Sequence, residues 1–416
     1  MRILIAGQTF TPALNGQSIF CTNLAEGLAK RGHQVVMVAP SLHKKPYRAE
    51  QNGVDLHAVR TVHLGMFHPD AYLNLPATRT IQHIFDTFRP EVIHVHDHYP
   101  ISQNVIRVAR QRGIRVLGTN HFMPENLAPY IPLPASFKTF FQRTLWWWML
   151  LTYNHLDIVT GPSRTAVTIM RRNGLKPPAY PISCGVDLNR FHLLPELDRI
   201  ELRQRYGLDP SRKVFLFVGR VDGEKKIDVL LRAFSLFDRD DIQFAVAGNG
   251  AALLHLTTLA QELGLGERVR FTGFIPNDDL PSLLNSADIF TMPSEAELLS
   301  IASLEAMACS RPLLLAHAQA LPELVDEGVN GYLFKPSNIE DAADNILRLA
   351  DHPERWNAMG AASLRKVQRH SLENTLRSYE KLYTSLANNP RTRLLTKTPS
   401  APIGKRLRQT ISDILE

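Results

Sequence analysis

Short apolar runs recur along this chain and read as buried strands: Arg2 to Ala6, Gln34 to Ala39, Val92 to His98, Arg115 to Gly118, Asp157 to Thr160, Val214 to Val218, Phe244 to Gly250, Val269 to Phe274 and Ala287 to Met292. Between them the apolar period lengthens. Phe20, Leu24 and Leu28 recur every four residues before Gly32, Ile227, Leu230, Leu231 and Phe234 share one helical face, and Ile301, Leu304 and Ala308 share another that Arg311-Pro312 stops. A buried strand, a loop, a helix and a second strand make the β-loop-α-β unit of a doubly wound parallel sheet. The pattern therefore predicts an α/β protein. A polar connector, Leu188 to Arg212, divides it into two Rossmann-like domains, 1–188 and 189–369. Residues 338 to 387 read as helical. The last stretch, 388–416, is rich in Pro, Thr and Ser with six Lys/Arg against two Asp/Glu, and reads as a flexible basic tail or one that orders at an anionic surface.

In parallel sheets ligands gather at the carboxyl ends of strands, so the residues just past each predicted strand carry the chemistry. Glu297 follows the strand ending at Met292, and Glu305 lies about a turn or more into the next helix. The helix start between them, Ser300 to Ala302, offers free N–H groups and a positive dipole end suited to phosphate. Arg220 and Lys225 flank the turn after Val214 to Val218, where both can reach an anion. The loop Gly7 to Gln17 lacks G-x-G-x-x-G, which argues against a dinucleotide, yet keeps Asn15-Gly16, where a missing Cβ permits close backbone approach. Thr119-Asn120-His121-Phe122 is a polar strand end of the same kind. His94, His96 and His98 fall on one face of their strand by alternation, but no fourth ligand or second cluster accompanies them, so no metal site is expected. Asp238 to Asp241 precedes a strand, away from the ligand end, and reads as a solvated loop.

Composition narrows the class. Hydrophobic residues at 44% and charged residues at 21% are globular values. Three scattered cysteines, Cys21, Cys184 and Cys309, read as reduced thiols of a cytosolic protein. The opening MRILIAGQTF reads as a strand and not a signal peptide, and no run is long enough to span a bilayer. Net charge +7 and pI near 9.3 call for an anionic partner. Without a basic-aromatic recognition motif, nucleic acid is set aside in favour of a nucleotide diphosphate or an anionic membrane.

The block Pro293-Ser294, Glu297, Glu305-Ala306-Met307-Ala308, Pro312, Pro322-Glu323-Leu324-Val325 and Gly328, Asn330, Gly331 resembles the signature of glycosyltransferase family 4, and GRVDGEKKIDVLLRAF (219–234) resembles that family's second motif. The resemblance runs from residue 1 to about 387. It implies the GT-B fold, two doubly wound domains with the active site in the cleft between them, and a helix at 370–387 crossing back to the first. It further implies retaining transfer from a UDP- or GDP-linked sugar, with no cofactor. In that reading Gly16, Arg220, Lys225, Phe274, Ser300, Ile301, Ala302 and Glu305 bind the donor. His121, Glu297, Arg220 and Lys225 form the catalytic group, with His121 on the transferred sugar and Glu305 on the ribose. The chain has Leu298, Ser300 and Ser310 where the family commonly has glycine. Its Ala-Glu-Leu-x-Ser-Ile form resembles a subgroup acting on diacylglycerol and phosphatidylinositol.

One segment stands apart. In FKTFFQRTLWWWMLLTY (137–153), Phe137, Phe140, Phe141, Leu145, Trp148 and Met149 follow helical spacing, with Lys138 and Arg143 interspersed. Consecutive helical residues point about 100° apart, so Trp146, Trp147 and Trp148 cannot all face one core. The segment is either a buried helix or an interfacial one, with Lys138, Arg143, Trp146 and Trp147 as its membrane or acceptor contacts. The second case predicts a lipid acceptor and a peripheral protein at the inner face of the cell membrane. The alternatives are a soluble acceptor such as an oligosaccharide, or a non-catalytic nucleotide-sugar-binding protein on the same fold.

Overall fold

The structure, a computed structural model, describes residues 1–8, 10, 16–41, 43, 45–63, 72–74, 77–124 and 135–389. They gather into two compact units, one from the described residues of 1–124, 135–183 and 373–389, the other from 184–372.

The first unit is built on strands β1 (Arg2–Ala6), β2 (Gln34–Pro40), β3 (Tyr47–Gln51), β4 (Val54–Val59), β7 (Val92–Val95), β8 (Val116–Thr119), β9 (Ile158–Gly161) and β10 (Ala179–Pro181), with a separate pair β5 (Thr61–His63) and β6 (Tyr72–Asn74). Their order is β10-β9-β8-β7-β1-β2-β4-β3, and all neighbours are parallel except the antiparallel β3 and β4. The chain winds from β1 outward through β2, then returns to place β7 on the other side. The switch point, where loops leave in opposite directions, is therefore between β1 and β7.

The helices of this unit are α1 (Gly16–Lys30), α2 (Thr78–Phe88), α3 (Pro100–Gln111), α4 (Ala135–Tyr153) and α5 (Arg164–Arg172). Leu4, Ala6, Ile93 and Val95 belong to one core with Ile81, Ile84, Val105, Trp146 and Met149. That shared burial is why the strands read as unbroken apolar runs.

The second sheet runs β13-β12-β11-β14-β15-β16, all parallel, from β11 (Lys213–Val218), β12 (Ile242–Ala247), β13 (Val269–Gly273), β14 (Ile289–Met292), β15 (Leu313–Ala316) and β16 (Gly331–Phe334). Its switch point lies between β11 and β14. Helices α6 (Arg199–Arg205), α7 (Ile227–Ser235), α8 (Leu253–Glu262), α9 (Leu280–Ser286), α10 (Ile301–Ala308), α11 (Ile339–Ala350) and α12 (Trp356–Val367) accompany it. The last helix, α13 (Leu372–Ala387), packs on α1. Arg31 bonds Glu373 at 2.8 Å and Glu380 at 2.7 Å, and a Cβ on Gly27 would come within 2.7 Å of Leu376.

Three expectations change. The connector 188–212 is not merely polar linker, because α6 forms within it and is anchored. Arg203 donates to the Ser286, Pro210 and Arg212 carbonyls and meets Asp288 at 2.6 Å, while Asp288 also accepts from Val214 N–H. The strand at Val92 stops at Val95, so alternation does not carry to His96 and His98. In α4 the buried face is Trp146, Met149, Leu150 and Tyr153, whereas Phe137 and Phe140, expected to share a face with Met149, are 60% and 70% exposed. The tail from 390 lies outside the described residues.

Candidate active site

At the second switch point the carboxyl ends of β11 and β14 bring Arg220, Lys225 and Glu297 together. Gly219 leaves β11 with φ +155°, and a Cβ at Gly248, φ +146°, would stand 1.8 Å from the Gly219 carbonyl. Only glycine lets the loops after β11 and β12 approach this closely. Asp222 ties them, accepting from Ala251 N–H at 3.0 Å and pairing with Arg220 at 2.8 Å. Arg220 also meets Glu224 at 2.9 Å. Lys225 lies 3.6 Å from Glu224 and 2.7 Å from Glu297. Burial opposes the Lys225 charge, but Glu297 and Glu224 outweigh it and hold its pKa above the ordinary lysine value.

Glu297 sits in the loop that Pro293 and Ser294 begin, and its carbonyl accepts from Ala320 N–H at 3.2 Å. The helix after it starts where the sequence places it. Ser300 caps α10, accepting from Ser303 N–H at 3.2 Å, so Ile301 and Ala302 form the first turn. Glu305 follows on the next turn, half-buried. Burial pushes its carboxyl up to about 7, against a lowering by Arg190. Arg190 was not singled out by the sequence, since it lies on the connector far from Glu305 along the chain. Phe274, 60% exposed, directly follows β13.

The first unit carries a different chemistry at its switch point. Gly16 is the exposed first residue of α1, and Asn15 lies outside the described residues. His96, just past β7, places Nδ1 3.3 Å from His121 Nε2, just past β8. His94 lies below them with its nitrogens 2.7 Å from the Tyr383 hydroxyl and 2.6 Å from Thr119 Oγ1. Thr119 continues to Thr160 at 2.6 Å and Tyr379 at 3.1 Å. Burial lowers all three imidazoles, His121 to about 3, so they stand neutral at physiological pH. His98 turns elsewhere, stacking on Tyr99 and meeting Trp148 edge-on. The predicted single-faced row of three histidines is thus two plus one.

Trp146 corrects another expectation. At 4% exposure it is core, and it is no membrane contact. Trp147 is 61% exposed and Arg143 is exposed, while the Lys138 side chain lies outside the described residues.

Residues 14–190 match the family described as Glycosyltransferase Family 4, and residues 198–366 match Glycosyl transferases group 1. The chain belongs to glycosyltransferase family 4. It is a nucleotide-sugar transferase of the GT-B type, an enzyme and not a mere binding module. It is 29% identical to a D-inositol 3-phosphate glycosyltransferase of Rhodococcus jostii, over 88% of this chain and 84% of that one. A GDP-mannose-dependent alpha-mannosyltransferase of Corynebacterium glutamicum is 25% identical over 85% and 82%. Among solved structures, Anabaena HepE in complex with UDP superposes with a TM-score of 0.75 at 19% identity, covering 92% of this chain and all of that one.

Proposed function

We propose that this glycosyltransferase moves a hexosyl group from a UDP- or GDP-sugar, with retention and without a metal, to a lipid hydroxyl such as that of diacylglycerol at an anionic membrane surface. Breaking the anomeric carbon–oxygen bond leaves charge on the nucleoside diphosphate. Arg220, Lys225 and the first turn of α10 stabilise that charge as it develops. Glu305 holds the ribose hydroxyls, and Glu297 and His121 line the oxocarbenium-like sugar. The acceptor hydroxyl attacks from the face the leaving group departs, which preserves the anomeric configuration.

The observation that carries the lipid acceptor is one face of α4. Phe137, Phe140, Thr144, Trp147 and Leu151 are spaced three or four apart and all exposed, the large apolar ones at 60%, 70%, 61% and 45%. Aromatic side chains left open along a helix, with the exposed Arg143 beside them, suit insertion into a headgroup layer. Among the described residues no helix is long and apolar enough to cross a membrane. Flotation with anionic and zwitterionic vesicles tests the reading. Binding should rise with anionic lipid and fall with salt. Phe140→Ser with Trp147→Ser should weaken it by about tenfold or more, with an unchanged thermal melt. Wild-type protein that ignores anionic vesicles rejects the lipid surface.

A soluble phosphorylated polyol, of the kind named for the Rhodococcus relative, is the second reading. Product analysis with inositol phosphates against diacylglycerol separates the two.

A further inference from the structure

Two neutral imidazoles facing each other need one proton between them, and the surroundings of His96 decide which ring supplies it. His96 Nδ1 and His121 Nε2 are 3.3 Å apart, with the rings stacked at 26° and centroids 5.5 Å apart. The other nitrogen of His96, Nε2, is enclosed and has no hydrogen-bond partner among the described residues. His94, packed against His96 with centroids 4.0 Å apart, has both nitrogens engaged by Tyr383 and Thr119 and offers no acceptor. Phe20 lies near both rings, its centroid 5.5 Å from that of His96 and 4.8 Å from that of His121.

Two proton arrangements are possible. If His121 Nε2–H donates, His96 carries its own proton on Nε2, and a buried N–H is left without an acceptor. If His96 Nδ1–H donates, only a lone pair is left at Nε2. A stranded buried N–H is the rarer and costlier of the two, so the second arrangement prevails. His121 is then protonated on Nδ1, the nitrogen that His96 does not occupy.

We propose that His96 is a positioning residue that locks His121 in the Nδ1–H tautomer, so that the half-buried His121 ring offers the transferred sugar a hydrogen-bond donor and not a base. The proposal rests on the reading that His121 faces that sugar. It explains how a histidine can serve a reaction in which the acceptor attacks from the leaving-group side. The ring holds a sugar hydroxyl oxygen in place, and the acceptor proton goes to the departing phosphate oxygen.

The test is 15N-imidazole NMR of the ligand-free protein at neutral pH, combined with two variants. Wild type should show a protonated Nδ1 and a bare Nε2 on His121. In His96→Asn the amide N–H₂ stands near the lost Nδ1–H, so the tautomer and most of the turnover should persist. In His96→Leu the donor is gone; His121 should shift toward Nε2–H, and turnover should fall by about 10- to 100-fold. A protonated Nε2 on wild-type His121 overturns the proposal, as does His96→Leu with unchanged tautomer and turnover. If His96→Leu fails to fold, the wild-type and His96→Asn spectra decide alone. A wild-type protein with the expected tautomer but no action on any UDP- or GDP-sugar would instead defeat the reading of His121 as a sugar contact.

Discussion

The Lys225 ammonium lies 2.7 Å from a Glu297 carboxylate oxygen, so a cation proposed for the donor phosphates is already paired in the ligand-free protein. Among the described residues the cluster around it holds two cations, Arg220 and Lys225, against three carboxylates, Asp222, Glu224 and Glu297. An incoming diphosphate therefore competes with carboxylates for the same N–H donors. Lys225→Ala should lower turnover by about 10- to 100-fold, the worth of one charge-assisted contact, and weaken UDP or GDP binding. Glu297→Gln should part the two effects. Removing the competing charge leaves nucleotide diphosphate binding equal or tighter, while turnover falls because the sugar loses its carboxylate. Calorimetry and steady-state assays on both variants check this. A Glu297→Gln enzyme with wild-type turnover contradicts it.

Glu305 gives the site a pH dependence whose sign follows from its surroundings. Its carboxyl is raised from 4.5 to about 7, mainly by burial. The ligand-free fold is thus favoured with the group protonated, and that contribution is lost as pH rises from 4.5 through 7. With Glu305 on the ribose as proposed, nucleotide binding runs the other way, because two ribose hydroxyls need the ionised carboxylate as acceptor. Affinity for UDP or GDP should fall by up to about tenfold per pH unit below 7. The phosphate titrates nearby, so the comparison is with Glu305→Gln, whose profile should be flatter. Identical profiles for the two proteins would remove Glu305 from the ribose.

What the sequence made legible was local. Pro293-Ser294 closes β14 and Arg311-Pro312 stops the chain from continuing α10 by backbone chemistry alone, so Glu297 falls in a loop and Glu305 on a helix. Arg220 and Lys225 share one turn and needed no distant partner to be found. The His96–His121 contact was not legible. It depends on β7 and β8 being neighbours and on β7 ending at Val95, which strand alternation did not foresee. The buried face of α4 was hidden for another reason. A helix apolar on several sides carries no periodic mark of which side the sheet covers, so the spacing leaves the segment open between a buried helix and an interfacial one and does not tell the buried Trp146 from the exposed Phe137. Arg203 was missed because its value lies in three carbonyls of two other segments.

The proposed metal independence rests on charge neutralisation at the leaving group. In that reading Arg220, Lys225 and the Ser300-capped turn supply the positive field that a divalent ion supplies elsewhere. Saturating chelator should leave turnover within a small factor of the untreated enzyme, and NMR of the product should show the anomeric configuration of the donor. Activity lost to chelator and restored by magnesium, or an inverted product, would overturn the mechanism.

Asp97 is expected to hold the first switch point together. Its buried carboxylate accepts from the Gln8 and Tyr99 N–H groups and from the Ser102 hydroxyl, the last two at 3.0 and 2.7 Å. It thereby joins the loop that follows β1 to the first turn of α3, on either side of the β1–β7 boundary. Burial works to raise its pKa, while these hydrogen bonds and a longer approach from Gln17 work to lower it; burial is the larger effect. Asp97→Ala removes an acceptor shared by three donors, each about 1–3 kcal/mol when left unsatisfied in the interior. The loss of unfolding free energy should therefore be about 3 kcal/mol or more. Asp97→Asn keeps one acceptor oxygen and should lose less, with the remainder depending on which donor the amide group displaces. Urea titration of both variants measures the two losses. Equal losses would mean that the volume of the side chain, and not its acceptors, fixes the loops.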